Sequence, residues 1–223
     1  PLFIAMNPKR FSSMSSTAKN YDRLSRVYDL LAGIAEKKYK LAGLRALQVT
    51  AGERVLEIGF GTGQCILPLA KAVGDRGFVH GIDLSEGMLQ VADQKIKNAG
   101  LQAQVKLRCG DARELPYPAD YFDGVYLSFT LELFADSDIP IVLQEIRRVM
   151  KPEGRLCVVA MAKQKNTNLM TRLYVWLHQH FPTSIDCRPI EVVHPITESG
   201  FSVQQVKRMS LYGLPVDVVV AYG

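Results

Sequence analysis

A chain of 223 residues, 48% hydrophobic and 22% charged, has the balance of an ordinary folded domain and is neither disordered nor collagen-like. A chain this long buries roughly 70% of its unfolded surface, so one core suffices without disulfide or metal staples. The net charge of +5 is unevenly spread: residues 1–50 hold nine Lys/Arg against three acids, and the remainder holds 18 against 19.

Residues 1–20 are Ser-rich and free of acids, and Leu2–Met6 is too short for the apolar core of a secretory signal. They read as a loosely packed arm or an organelle-targeting remnant. From Tyr21, Leu24, Val27, Tyr28, Leu31, Ile34 and Ala35 recur at helical spacing with Arg23, Arg26 and Lys37 on other faces. That predicts an amphipathic helix, broken at Gly33 and resumed through Leu47. Strand and helix then alternate: a strand over Arg54–Ile58, a glycine turn and a helix through Val73, a strand over Phe78–Asp83, and a helix over Ser85–Asn98 with Ser85 as its cap. A third strand follows over Gln104–Arg108 and a fourth over Tyr121–Ser128. A helix over Asp138–Met150 is stopped by Lys151-Pro152-Glu153-Gly154, and a fifth strand covers Arg155–Met161. This alternation demands a parallel sheet with right-handed crossovers.

Phe201–Leu211 and Val216–Tyr222 are separated by too few residues for a crossover, so they predict an antiparallel hairpin at one sheet edge. Residues 162–200 read as a helix and loops over the strand ends. The expected organisation is a basic arm and helical cap (1–50), a core (51–161), a substrate cap (162–200) and the closing hairpin (201–223).

No apolar run approaches the roughly 18 residues of a membrane span; Leu156–Ala162 and Val216–Tyr222 are strand-length. Cys65, Cys109, Cys157 and Cys187 never form C-x-x-C, and the four histidines form no compact ligand motif. The expectation is a cytoplasmic protein without metal.

The segment Val55-Leu56-Glu57-Ile58-Gly59-Phe60-Gly61-Thr62-Gly63 carries the chemistry. Three glycines at alternate positions leave a strand and open a helix, where the backbone can turn sharply and a ligand can lie against it. A dinucleotide turn of the form G-x-G-x-x-G would require glycine at position 64, which is Gln64. Glu57 would repel a pyrophosphate and suits a ligand with an ammonium group. Asp83, at the end of the second strand, can accept two ribose hydroxyls. Asp111, in Gly110-Asp111-Ala112 beyond the third strand, can accept an adenine amino group. Acids at three successive strand ends, with no Lys or Arg in the glycine turn, describe a nucleoside ligand without phosphates.

The run from Tyr21 to Met161 resembles the class I S-adenosylmethionine-dependent methyltransferases. The resemblance rests on Val55–Gly63, Gly81-Ile82-Asp83-Leu84-Ser85, Gly110-Asp111-Ala112, Leu115-Pro116 with Phe122-Asp123, and Ile146–Gly154. It implies a Rossmann-like α/β fold with a seven-stranded sheet in the order 3-2-1-4-5-7-6, strand 7 antiparallel, and S-adenosyl-L-methionine as cofactor. It further implies that Gly59, Gly61 and Gly63 line the methionine part and that Glu57 fixes its amino end through water or the backbone. Asp83 would hold the ribose, Leu84 and Met88 would pack beside the adenine, and Asp111 and Ala112 would bond its edge. Ser128 would offer its carbonyl near the sulfonium. Glu153 stands where the family often has glycine, in a turn remote from the cofactor.

Within that family, Tyr21-Asp22, Tyr28-Asp29, Leu115-Pro116-Tyr117-Pro118 and Arg147–Gly154 are similar to the menaquinone/ubiquinone-biosynthesis C-methyltransferases. Phosphatidylethanolamine N-methyltransferases share much of this signature. Ser128-Phe129-Thr130-Leu131-Glu132 lacks the Asn/Asp-Pro-Pro-aromatic sequence of many nucleic-acid amino-methyltransferases, so a nucleic-acid partner is not expected. The expected acceptor is a hydrophobic small molecule, with a quinone precursor first and a phospholipid amine as the alternative. A catalytically silent cofactor-binding protein is the reading from a different class, and a nicotinamide oxidoreductase is disfavoured by Gln64 and Glu57. Candidate proton acceptors are Glu132, His178 and His180; Tyr21 and Tyr28 would line the acceptor pocket and Arg188 would meet a lipid phosphate. The basic N-terminal segment suggests peripheral contact with an anionic membrane.

Overall fold

The computed structural model describes residues 36–163, 188–211 and 213–223. The chain divides into two compact units, Pro1–Lys37 and Lys38–Gly223, and the architecture below is that of the second. Its first element, α1, is residues 38–47 of the helix over 36–47, which ends where Gln48 adopts a left-handed φ of 52°. The order continues β1 (Arg54–Ile58), α2 (Ile66–Val73), β2 (Phe78–Asp83), α3 (Glu86–Ala99), β3 (Val105–Cys109), β4 (Phe122–Ser128), a 3-10 turn (Leu131–Leu133), α4 (Ile139–Val149), β5 (Met150–Met161), α5 (Val193–Glu198), β6 (Ser202–Leu211) and β7 (Leu214–Tyr222).

The seven strands form one sheet in the order β3-β2-β1-β4-β5-β7-β6, parallel except for β7, which runs antiparallel to both β5 and β6. Residue parity sorts the core into two faces. Leu156, Val158 and Ala160 of β5 pack with Leu56, Val125 and Leu127 against α4 and α5, while Cys157, Val159 and Met161 pack with Val55, Val79 and Tyr126 against α1, α2 and α3. Buried on both faces, β4 and β7 read as nearly continuous apolar runs. The outer strand β6 is largely exposed and carries Lys207 and Arg208, charges that discourage edge-to-edge pairing.

One boundary differs from the sequence expectation. The residues expected to turn, Lys151–Gly154, instead belong to β5, which starts at Met150. Met150 pairs with Phe122, the register shifts, and Gly124 then pairs with Arg155. A bulge of this kind accommodates Pro152 and Gly154 inside a strand. β7 starts at Leu214, so the expected turn residues Leu214 and Pro215 belong to the strand; the helix expected from Tyr21 and its break at Gly33 lie outside the described residues. The other described boundaries agree within a residue or so, and Ser85 caps α3 by accepting the Met88 amide at 3.3 Å. No helix among the described residues is long and apolar enough to cross a membrane.

The chain leaves β1 toward β2 and β3 on one side, then returns to place β4 on the other. The crevice beyond the carboxyl ends of β1 and β4 is therefore the topological switch point, where open α/β sheets bind ligands.

Candidate functional site

The glycine turn fills that switch point, and its three glycines serve different ends. All have positive φ: 70° at Gly59, 51° at Gly61 and 76° at Gly63. A Cβ on Gly59 would collide with the side chain of Thr130, just beyond β4, and one on Gly63 would lie 3.0 Å from the Ala92 Cβ of α3. Around Gly61 there is open space. Gly59 and Gly63 thus let neighbouring elements close on the turn, and Gly61 leaves room for a ligand against the backbone.

Asp83 ties the turn to the second strand. One carboxylate oxygen accepts the Gly61 amide at 2.8 Å and the other accepts the Ser85 amide at 2.9 Å. Ionised carboxylates offer about four acceptor positions, so capacity for two hydroxyls remains. Next to it, Leu84 is 76% exposed and Met88 36% exposed, an apolar surface of the kind a purine ring covers.

Glu57 is 2% exposed and faces the α1 side of the sheet. Burial drives its pKa well up, the charge of Lys40 on α1 opposes that rise, and Asp83 adds to it. Its Oε2 is buried without a hydrogen-bond partner. Such an acceptor calls for a donor, and an ammonium group supplies one. Burial, with Glu57 nearby, raises the Cys65 thiol far above its usual range, so that cysteine behaves as a small apolar residue.

Beyond β3, Asp111 is engaged by Arg113, whose Nε and Nη2 approach its carboxylate at 2.6–3.1 Å while Nη1 reaches Asp138 at 3.0 Å. Arg113 holds the Asp111 carboxyl below its ordinary pKa. Ala112 beside it is buried. Beyond β4, the Ser128 carbonyl accepts the Thr130 hydroxyl at 3.1 Å, and Phe129 takes a left-handed φ of 53°, unusual for a bulky side chain.

The candidates for the acceptor side have other partners or lie outside the described residues. Glu132, expected to face the site, is 1% exposed, and its Oε1 accepts the Met161 amide at the end of β5. The 3-10 turn directs it inward, where it braces β4 against β5. Arg188 donates to the Phe134 carbonyl at 2.7 Å and to Asp136 at 2.8 Å. Tyr21, Tyr28, His178 and His180 lie outside the described residues, and no cluster of metal-ligating side chains occurs among those described. Sequence reasoning passed over Thr130, Lys40 and Arg113. Of these only Arg113, two residues from Asp111, had a local signal.

The residues suit a phosphate-free nucleoside with an ammonium group: an orphaned buried carboxylate oxygen at Glu57, spare acceptors at Asp83, and open space over Gly61.

Comparison with known proteins agrees. Residues 8–185 match the model of the ubiE/COQ5 methyltransferase family. The demethylmenaquinone methyltransferase of Lactobacillus johnsonii is 36% identical over 149 residues, 67% of this chain and 59% of the relative. That of Bacillus subtilis is 38% identical over 138 residues, 62% of this chain and 57% of the relative. The ubiquinone/menaquinone biosynthesis C-methyltransferase of Paraburkholderia xenovorans is 34% identical over 172 residues, 74% of this chain and 68% of the relative. The match thus spans less than two thirds of the length of the first two relatives. Among solved structures, a SAM-dependent methyltransferase from Aquifex aeolicus superposes with TM-score 0.65 at 19% identity, covering 89% of this chain and 98% of that one. The [4+2]-cyclase SpnF superposes with TM-score 0.66 at 20% identity, covering 89% and 80% respectively. Likeness at that level speaks for the fold, which hosts more than one chemistry.

Proposed function

The chain belongs to the ubiE/COQ5 methyltransferase family, and from that premise we propose that it transfers the methyl group of S-adenosyl-L-methionine to a ring carbon of a quinone precursor. The observation that carries the cofactor half of this reading is the meeting of Glu57, Gly61 and Asp83 at one switch point. The acceptor half is supported by the demethylmenaquinone and ubiquinone/menaquinone relatives.

The cofactor supplies a sulfonium methyl that is already electrophilic, so the protein's task is orientation and exclusion of water. Asp83 fixes the ribose through its spare acceptor positions while holding Gly61 and Ser85 in place. Glu57 offers its unpartnered oxygen to the amino end. Leu84 and Met88 cover the purine, which keeps water from one side of the site. Thr130 packs against Gly59 and bonds the Ser128 carbonyl, which joins the turn to the end of β4. Glu132 has a supporting part in this reading, through the Met161 amide.

A quinone precursor carries an apolar tail, and the basic segment 1–50 supports peripheral contact with an anionic membrane. Co-sedimentation with anionic and neutral vesicles tests that contact, and equal binding to both refutes it. The reaction is tested by incubating the protein with methyl-labelled S-adenosylmethionine and a reduced demethylmenaquinone, then locating the label by mass spectrometry and NMR. Label on a ring carbon supports the proposal; label on oxygen, or none on the quinone, overturns it.

A further inference from the structure

The glycine turn is held on three sides, and one of the restraints comes from a residue distant in sequence. Asp83 accepts the Gly61 amide, Ala92 packs under Gly63, and between them the Lys95 ammonium donates to the Thr62 carbonyl at 2.8 Å. Lys95 lies on α3, the helix that also carries Met88 and begins at the Ser85 cap beside Asp83.

Thr62 sits between two glycines in left-handed conformation, with φ of 51° and 76°. The peptide that joins Thr62 to Gly63 has a Cβ on its Thr62 side alone, and its amide donates to the Phe60 carbonyl at 2.9 Å. Rotation of this peptide would break that bond and turn the carbonyl away from α3. A charge-assisted hydrogen bond to the carbonyl opposes that rotation directly. The neighbouring lysine of α3, Lys97, is occupied by Asp93 at 2.6 Å, whereas Lys95 has no ion pair among the described residues. Its ammonium is partly withdrawn from water, and that burial lowers its pKa.

We propose that Lys95 is a positioning residue: by bonding the Thr62 carbonyl it locks the glycine turn in the form that receives the methionine arm of the cofactor. This rests on the cofactor reading above. The turn faces the methionine arm, whereas Asp83, Leu84 and Met88 serve the nucleoside. Loss of Lys95 therefore weakens ligands that carry the amino-acid arm and spares those that lack it.

The test compares S-adenosylhomocysteine with 5′-methylthioadenosine, the same nucleoside without the amino-acid arm, by calorimetric titration of the full chain. In Lys95→Met the affinity for S-adenosylhomocysteine is expected to fall about tenfold, while that for methylthioadenosine stays within about twofold. Lys95→Arg, which keeps a cationic donor, is expected to recover most of the loss. Lys95→Gln serves as the second variant if the methionine form does not fold. Equal weakening of both ligands would show general loosening and overturn the proposal, as would an unchanged affinity for S-adenosylhomocysteine. Failure of the unaltered protein to bind either ligand would overturn the cofactor reading itself, an outcome distinct from the first two.

Discussion

Gly43 of α1 lies against Val159 of β5 so closely that no side chain fits between them: a Cβ at 43 would run into the Val159 methyl and sit 2.8 Å from the Tyr126 hydroxyl. Three side chains from the sheet bond the α1 backbone along this contact. Tyr126 donates to the Lys40 carbonyl at 2.9 Å, Cys157 to that of Gly43 at 3.4 Å, and Arg155 to that of Leu47 at 2.9 Å. The seating of α1 is what brings Lys40 within electrostatic reach of Glu57.

Gly43→Ala is therefore expected to destabilise the protein by about 1–3 kcal/mol, the usual range for overpacking a close contact. Urea denaturation followed by far-ultraviolet dichroism measures it. A variant as stable as the parent would show that α1 can retreat from the sheet without penalty.

Gly59 and Thr130 make a second close pair, and here two costs separate. Gly59→Ala suffers both a left-handed φ of 70° and collision with the threonine side chain. The strain alone is worth about 1–2 kcal/mol. In a Thr130→Ala background the same glycine substitution should cost at least about 1 kcal/mol less, because the nearest two atoms have gone. A double-mutant cycle on denaturation free energies reads that coupling. Strict additivity would mean that the turn, and not Thr130, moves aside.

The strands were legible because glycine, proline and polar turns punctuate them: β1 and β2 carry the bounds that their apolar runs imply. Position 150 failed because Pro152 and Gly154, read as breakers, sit in a bulge whose pairing depends on β4. In the site, the glycines and Asp83 could be read since each stands at a strand end. Thr130 and Lys95 could not, because their bonds to the turn span 71 and 33 residues and leave no periodic trace. Glu132 misled for a related reason: its distance past β4 was plain, but the 3-10 turn decides which way it points.

His80 is 8% exposed on β2, with Tyr117, Tyr121 and Phe122 edge-on around it at 4.9–5.6 Å between rings of the cluster. Burial, followed by the charges of Lys106, Arg108 and Arg54, lowers its pKa from 6.5 to about 4. The folded protein thus keeps the imidazole neutral where the unfolded chain protonates it. Its contribution is intact above about pH 6.5 and is lost as pH falls toward 4, by about 1–3 kcal/mol. His80→Phe, which keeps a ring in the cluster, should flatten the fall in stability over that window. Parallel slopes for the two proteins would place the acid sensitivity in the carboxylates instead.

Asp83 gives the sharpest test of the ligand's chemistry, because its two oxygens have one backbone donor each among the described residues, which leaves acceptor positions for a ligand. If ribose hydroxyls fill those positions, the protein discriminates against 2′-deoxy analogues, and that discrimination resides in this carboxylate. A hydrogen bond to a charged group is worth about 1.5–3 kcal/mol, so Asp83→Ala should lower S-adenosylhomocysteine affinity by at least about tenfold. The same substitution should largely erase the preference for the ribo over the 2′-deoxy ligand. General damage to the turn would lower both affinities and keep their ratio, so titrating each protein with both ligands separates recognition by Asp83 from its scaffolding of Gly61 and Ser85.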